Sequence, residues 1–290
     1  MLYSRRDFGK TALAALPFVR TVAADSKIEG VQLGAISYSF RQIPNVDVDA
    51  IVKILSRLEL GEVELMSNHA ERAAGAPVQR QELRTWRTSG SMDRFKPVRQ
   101  KFADAGIDIA VVCFNMNQTI SDDEIDYAFQ MGQALGARAL SSSTQVSMSK
   151  RIAPFAEKHK LPIGYHGHDN TSDPNEFATP ESFATAMSYS KYNCVNLDIG
   201  HFTAANYDAV AFIKQHHARI TNLHVKDMKK DHGTYTPFGQ GDAPIKEVLQ
   251  LMKKERYPFP GNIEYEYKGE SDPATEVGKC LEYCKAALRG

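Results

Sequence analysis

The chain has 290 residues, enough for one large domain or two small ones, and 42% of them are hydrophobic, an ordinary globular balance. Lys plus Arg and Asp plus Glu both number 35, so no net basic charge favours a nucleic acid partner and no acidic excess marks a solvating tail. The four cysteines outline no disulfide framework: Cys280 and Cys284 sit four apart on a predicted helix, Cys113 lies on a predicted strand and Cys194 just precedes one, positions that suit small buried thiols.

Residues 1–24 read apart from the rest. Ser4-Arg5-Arg6-Asp7-Phe8-Gly9-Lys10 precedes a short apolar run from Thr11 to Val19, which ends in Val22-Ala23-Ala24. A basic start, an apolar core and an A-x-A-like end describe a cleaved signal, and the paired arginines resemble the twin-arginine type; an uncleaved amphipathic start is the alternative. The run is shorter than the ~20 residues of a membrane span. No later segment is long or apolar enough, so the mature protein is expected in the periplasm, free of the membrane. Twin-arginine export carries folded proteins, which agrees with a cofactor inserted before transport.

From there a unit repeats. Strand-like runs fall at Val31–Phe40, Glu62–Ser67, Ile107–Asn115, Ala137–Ser143, Pro162–His168, Val195–His201, Ile220–Asp227 and Gly261–Tyr267. Helix-like runs lie between them, at Val46–Leu60, Ser91–Ala105, Ser121–Leu135, Met148–Lys158, Pro180–Ser188, Tyr207–Ala218, Ala243–Arg256 and Pro273–Leu288. Gly61, Gly106, Gly136, Pro162 and Gly261 punctuate the junctions. Strands alternating with helices demand parallel pairing, and this number closes a (β/α)8 TIM barrel, a single domain over 28–290. An open doubly wound sheet would want a Gly-rich phosphate turn after an early strand, and none is present.

The last four strands carry the chemistry. Side chains alternate along a strand, so Asp198, His224, Glu264 and one or both of His166 and His168 share a face, with Leu197, Leu223, Val225 and Ile263 on the other. Carboxylates and imidazoles gathered inside a barrel are costly to bury alone, and a divalent metal is the simplest partner. Oxygen and nitrogen donors suit Mn2+, Mg2+, Co2+ or Zn2+ without choosing among them. His201 either hydrogen-bonds substrate or orients a ligand; Lys226 either stabilises a developing enolate oxygen or forms a buried ion pair with Glu264 or Glu266. Glu64 on the second strand, with Glu266, is a further candidate for contact with substrate. The stretch from Asn68 to Gly90, with Trp86 and several arginines, is either a lid that gives substrate an aromatic face or a solvated excursion; Met228 to Asp242 is a second candidate cover.

These motifs resemble the sugar isomerase/epimerase group of xylose-isomerase-like barrels, over about Val31 to Leu288. Asp198 in Leu-Asp-Ile-Gly-His, His224 in Leu-His-Val-Lys-Asp and Glu264 in Ile-Glu-Tyr-Glu-Tyr match the group's metal ligands on strands six to eight; His201 matches the His that follows the Asp, and Gly239–Asp242 resembles its Gly-x-Gly-Asp turn. The resemblance implies one divalent metal held by His166, Asp198, His224 and Glu264, and His168 matching a substrate-contacting His. Where many members have Glu-Asn-His on strand five, this chain has His166-Gly167-His168, so a His stands where one of two catalytic glutamates is usual.

The expectation is therefore a metal-dependent isomerase or epimerase of a sugar or keto-sugar, with Glu264 or His166 removing a proton to form an enediolate and Lys226 assisting. A lyase or dehydratase acting on a keto-sugar, cyclitol or keto-glycoside shares that intermediate. A nuclease of the same fold would need more histidines on strands two and three, and a non-catalytic carbohydrate-binding protein is the alternative of another class. Export favours an unphosphorylated substrate. The barrels of this group often pair, so a homo-oligomer is compatible with the chain.

Overall fold

Strands β1 to β8 are Val31–Ile36, Glu62–Met66, Asp108–Cys113, Ala139–Ser142, Ile163–His166, Asn193–Asp198, Ile220–Val225 and Gly261–Ile263. In the computed structural model, which describes residues 26–290, each pairs in parallel with the next, and β1 closes the ring on β8 through Leu33 opposite Gly261 and Ala35 opposite Ile263. A two-residue strand, Lys27–Ile28, runs antiparallel to β1. The expected signal over 1–24 lies outside the described residues.

The alternation in sequence becomes a division between two faces. Tyr165, Leu197, Leu223, Val225 and Ile263 are fully buried in one continuous hydrophobic cluster with helix residues such as Phe129, Ile152 and Leu249. At about 1.5–3 kcal/mol for each large apolar side chain, this layer holds the helices to the barrel. The opposite parity sends Glu62, Glu64, Ser141, Asn196, Asp198, Asn222, His224 and Asn262 into the interior, where all are buried. Gly34 makes room for one of them, since a Cβ there would lie 1.8 Å from Glu62 Oε2. The helix Asp122–Leu135 begins with a reciprocal capping box between Ser121 and Glu124 and ends at Gly136 with φ +84°. All four cysteines are buried free thiols. Among the described residues no helix is long and apolar enough to cross a membrane.

The strands are shorter at their C-terminal ends than the sequence suggests. Ser37–Phe40 turns into a 3-10 helix, and β6 stops at Asp198 because its carboxylate accepts a hydrogen bond from His201 N (2.8 Å), capping a short helix Ile199–Ala204. His201 is thus helical rather than on a strand.

The arginine-rich stretch after β2 runs over the surface, and none of residues 68–90 lines the cavities described below. It folds as helices Ser67–Ala73 and Arg80–Ser89, locked by an ion network. Arg87 donates to both Glu71 oxygens (2.7 and 2.9 Å) and to Glu124 (3.0 Å), while Arg80 and Arg84 also reach Glu124. The Met228–Asp242 loop is fastened from below. Asp227 accepts hydrogen bonds from Gly239 N (2.8 Å), Gly241 N (2.9 Å) and Ala243 N (3.2 Å). A Cβ at Gly241 would fall 2.0 Å from Asp227 Oδ1, which is why the Gly-x-Gly-Asp turn takes glycine there.

Candidate metal centre and active site

Four successive strand ends converge on one point. His166 closes β5, Asp198 closes β6, His224 lies near the end of β7 and Glu264 follows β8 directly. One ligand atom from each lies within 4.8 Å of the others, and all four residues are buried. His166 Nδ1 and Asp198 Oδ2 are buried without a hydrogen-bond partner, although the Lys226 ammonium stands 2.9 Å from the latter. Orphaned buried donors and acceptors are uncommon, and an ion is one reason for them. Two imidazoles and two carboxylates at this spacing, with His166 Nδ1 and Asp198 Oδ2 unpartnered, suit a divalent cation by position and donor chemistry.

A polar floor holds this set in place. Glu64 is fully buried beneath it and accepts from Ser141, from Asn222 Nδ2 at 2.7 Å and from Asn262 Nδ2 at 3.3 Å. Its Oε2 also lies 2.7 Å from His224 Nε2, so the other ring nitrogen, Nδ1, faces Glu264 Oε2 at 2.9 Å. A carboxylate behind a ligating imidazole fixes the ring and raises its basicity.

Lys226 stands at the centre of the charge balance. Its ammonium, 2% exposed, is 2.7 Å from both Glu264 Oε2 and Glu266 Oε2. Burial alone would drive it down, but Asp198, Glu264 and Glu266 keep it well above the ordinary range. Burial likewise disfavours the charged forms of His224 and Glu264. The carboxylates of Glu264 and Glu64 nonetheless hold His224 up, and Lys226 and His224 hold Glu264 well below the carboxylate range. His166 goes the other way, because burial and then the His224 charge keep its ring neutral.

A cavity of about 220 Å³ opens above the cluster, with His166, His224 and Glu264 at its floor and His168, His201 and Glu266 around it. Tyr38 and Tyr235, 36% and 39% exposed, stand at the mouth. His201 is held through Nδ1 by Asp169 (2.9 Å), and His168 through Nδ1 by Glu176 (2.5 Å), with His168 Nε2 3.4 Å from Ser143 Oγ. Asn115, Ser143 and His168 also line a second cavity of about 400 Å³ beside the first.

Of the expected substrate contacts, His168, His201 and Glu266 line the cavity, and Glu64 and Trp86 do not. Glu64 points into the barrel as its parity requires, but one layer too deep, and its oxygens are spent on His224 and the amides. Trp86 packs edge-on against Phe95 and Tyr127 (6.2 and 6.4 Å between centroids), with the Arg94 guanidinium 3.6 Å above its ring. Lys226 takes the ion-pair option, and it is not among the residues that line the cavity.

Several site residues carried no weight in the sequence. Tyr38 lies in the 3-10 turn after β1, and Tyr235, Asp169 and Glu176 lie beyond strand ends in irregular segments, where no periodicity singles them out. The amides did leave a signal: an asparagine stands two residues before each of Asp198, His224 and Glu264, which on a strand places Asn196, Asn222 and Asn262 one layer below.

The sequence profile of the xylose isomerase-like TIM barrel family matches residues 82–287. Over 118 residues the chain is 28% identical to L-ribulose-5-phosphate 3-epimerase UlaE of Salmonella typhi, a stretch covering 39% of this chain and 42% of that protein. The chain thus spans less than half the length of this curated relative. A sugar phosphate isomerase/epimerase from Parabacteroides distasonis ATCC 8503 superimposes with a TM-score of 0.64 at 16% identity, over 89% of this chain and 96% of that one. The IolI protein with a bound zinc atom gives 0.63 at 12% identity, over 88% and 96%. At these identities the two structures speak to the fold alone.

Proposed function

The chain belongs to the xylose isomerase-like TIM barrel family, and on that premise we propose that it is a divalent-metal-dependent isomerase or epimerase of a sugar or keto-sugar, working through an enediolate. The observation that carries the reading is the set of four buried ligand atoms within 4.8 Å at the floor of the cavity. The likeness to an epimerase supports it.

His166, Asp198, His224 and Glu264 would hold the ion. When bound, it supplies a Lewis acid for the substrate carbonyl and adjacent hydroxyl, worth several kcal/mol. Glu264 is a carboxylate at neutral pH and reaches the cavity, so it can take the proton from the carbon beside the carbonyl. The C–H electrons then form the enediolate double bond. Return of the proton by Glu264 to the neighbouring carbon completes isomerisation; epimerisation needs a proton on the opposite face of the same carbon, which His166, uncharged at rest, would relay from solvent while Glu264 gives its own proton back to solvent. His168 and His201, their Nδ1 atoms held by carboxylates, are set to bind substrate hydroxyls. Tyr38 and Tyr235 restrict water at the mouth. Lys226 keeps three carboxylates compatible in a buried space.

One observation favours a second reading, elimination by a lyase or dehydratase. His166 stands where the group usually carries a second glutamate, and elimination needs one carboxylate base and a separate acid for the leaving group. We also propose that residues 1–24, with Arg5-Arg6, are an export signal that would take either activity outside the cytoplasm, and sequencing the N-terminus of the mature protein checks it.

The function is tested by incubating keto-sugars with the metal-supplied protein in D2O. Deuterium at the carbon beside the carbonyl, absent with Glu264→Gln, is the expected result, and the product separates isomerase from lyase. Binding without exchange by both proteins would make the chain a carbohydrate-binding protein.

A further inference from the structure

The cavity of about 400 Å³ beside the metal-ligand cluster shares Asn115, Ser143 and His168 with the smaller one, so a ligand seated on the cluster continues over His168 into it. Its further lining is made of amides, a hydroxyl and an acid: Asn117, Thr144, Gln145, Asn170 and Glu176, with Met116. The amides are turned to donate. Asn115 Oδ1 accepts from Ser143 N, Asn117 Oδ1 from Thr119, and Asn170 Oδ1 from Ser172, which leaves each Nδ2 available.

Among the described residues, no lysine or arginine lines either cavity. The cations nearby are committed: Lys226 to Asp198, Glu264 and Glu266, and Arg41 to Glu266 (3.3 Å) and the carbonyl of Tyr265 (2.9 Å). The helix Val146–His159 begins at this cavity, but its leading amides are already taken. Val146 N donates to Asn175 O, Ser147 N to Asn175 Oδ1, and Met148 N to Gln145 O. The Asn Nδ2 groups remain as neutral donors, but a phosphate dianion is typically met by a cation or by free backbone N–H groups at a helix start, and here it would also face the Glu176 carboxylate.

We propose that this second cavity is a subsite for an uncharged, hydroxyl-bearing substituent of the substrate, such as a second sugar ring, and that the pair of cavities selects an unphosphorylated, extended carbohydrate. The assignment rests on the sugar-processing reading above. It departs from the phosphorylated pentose named for the UlaE relative.

The test is calorimetric binding to the metal-supplied full chain, with ribulose, ribulose 5-phosphate and a set of keto-disaccharides (lactulose, isomaltulose and turanose) as probes. Gln145, whose side chain makes no hydrogen bond among the described residues, is the site for a filling variant, Gln145→Trp, with Gln145→Ala as its milder companion. At least one disaccharide should bind about tenfold or more tighter than ribulose, and the ester about tenfold weaker. Gln145→Trp should remove the disaccharide advantage while leaving ribulose unchanged, and Gln145→Ala should reduce it. An ester that binds tighter than ribulose, or a disaccharide advantage that survives in both variants, overturns the subsite alone. Failure of every probe to bind overturns the subsite together with the sugar reading.

Discussion

The imidazole of His224 lies with Nε2 2.7 Å from Glu64 Oε2, a carboxylate with no access to solvent. Glu64 therefore faces the cluster through His224 and does not line the cavity. Glu64→Gln keeps the volume but removes the charge behind the ring and one of the two acceptors on the floor. Metal affinity, measured by competition with a chromophoric chelator, should fall about 10–100-fold. An unchanged affinity would detach Glu64 from the centre.

Lys226 and a divalent cation serve the same carboxylates. In Lys226→Met, Asp198, Glu264 and Glu266 lose their shared ammonium, so the metal-free variant should be about 3–5 kcal/mol less stable than wild type. Added metal should recover more stability in the variant than in wild type. Equal unfolding midpoints in chelator would show that the lysine does not carry this balance.

The locked helices after β2 predict a split among the arginines. Arg87 is 13% exposed and bridges Glu71 to Glu124, so Arg87→Ala should cost about 3–5 kcal/mol; Arg80, 52% exposed, should cost under about 1 kcal/mol. Burial would raise the Glu124 carboxyl, but Arg80, Ser121 and Arg87 bring it down to about 2. A depressed carboxyl stabilises the fold above its ordinary value of 4.5, and that contribution is lost as pH falls towards 2. Urea unfolding of Arg87→Ala should accordingly show a shallower decline from pH 5 to pH 3, and a parallel decline would contradict it.

Glu62 gives the opposite sign. Both its oxygens are buried without partners, and burial, then the neighbouring Glu64, raise its carboxyl well above 4.5. The folded state keeps a proton that the unfolded chain releases, so stability drains as pH rises above 4.5 towards the raised value. Glu62→Gln should therefore gain on wild type between pH 4 and pH 8, read from unfolding curves at both. A difference that does not change with pH would mean that Glu62 is not a buried neutral acid.

What could be read from the residues was whatever has a period. Alternation in Asn196-Leu197-Asp198 and its three counterparts marks the strands, their inward faces and Asp198, His224 and Glu264; between His166 and His168, which share a parity, it leaves the choice open, and the family resemblance singles out His166. Depth within the barrel has no such marker, so Glu64, of the right parity, was placed among substrate contacts although it belongs to the floor. Trp86 lies away from the cavity for a different reason. Its helix looked like a loop because its arginines are paired with Glu71 and Glu124, 16 and 37 residues from Arg87, and only the tertiary fold brings those acids near. The short helix at His201 was hidden in the same way, since Asp198 serves both as a candidate ligand and as a cap.

The most direct test of the metal-dependent reading is metal content per chain in purified mature protein, wild type beside Asp198→Ala, with turnover of keto-sugars and glycosides measured with and without chelator. The account predicts about one divalent ion per wild-type chain, lost in the variant and required for turnover. A wild-type protein that carries no metal, and that added metal neither binds nor activates, would contradict it and leave the four strand ends as the floor of a binding pocket.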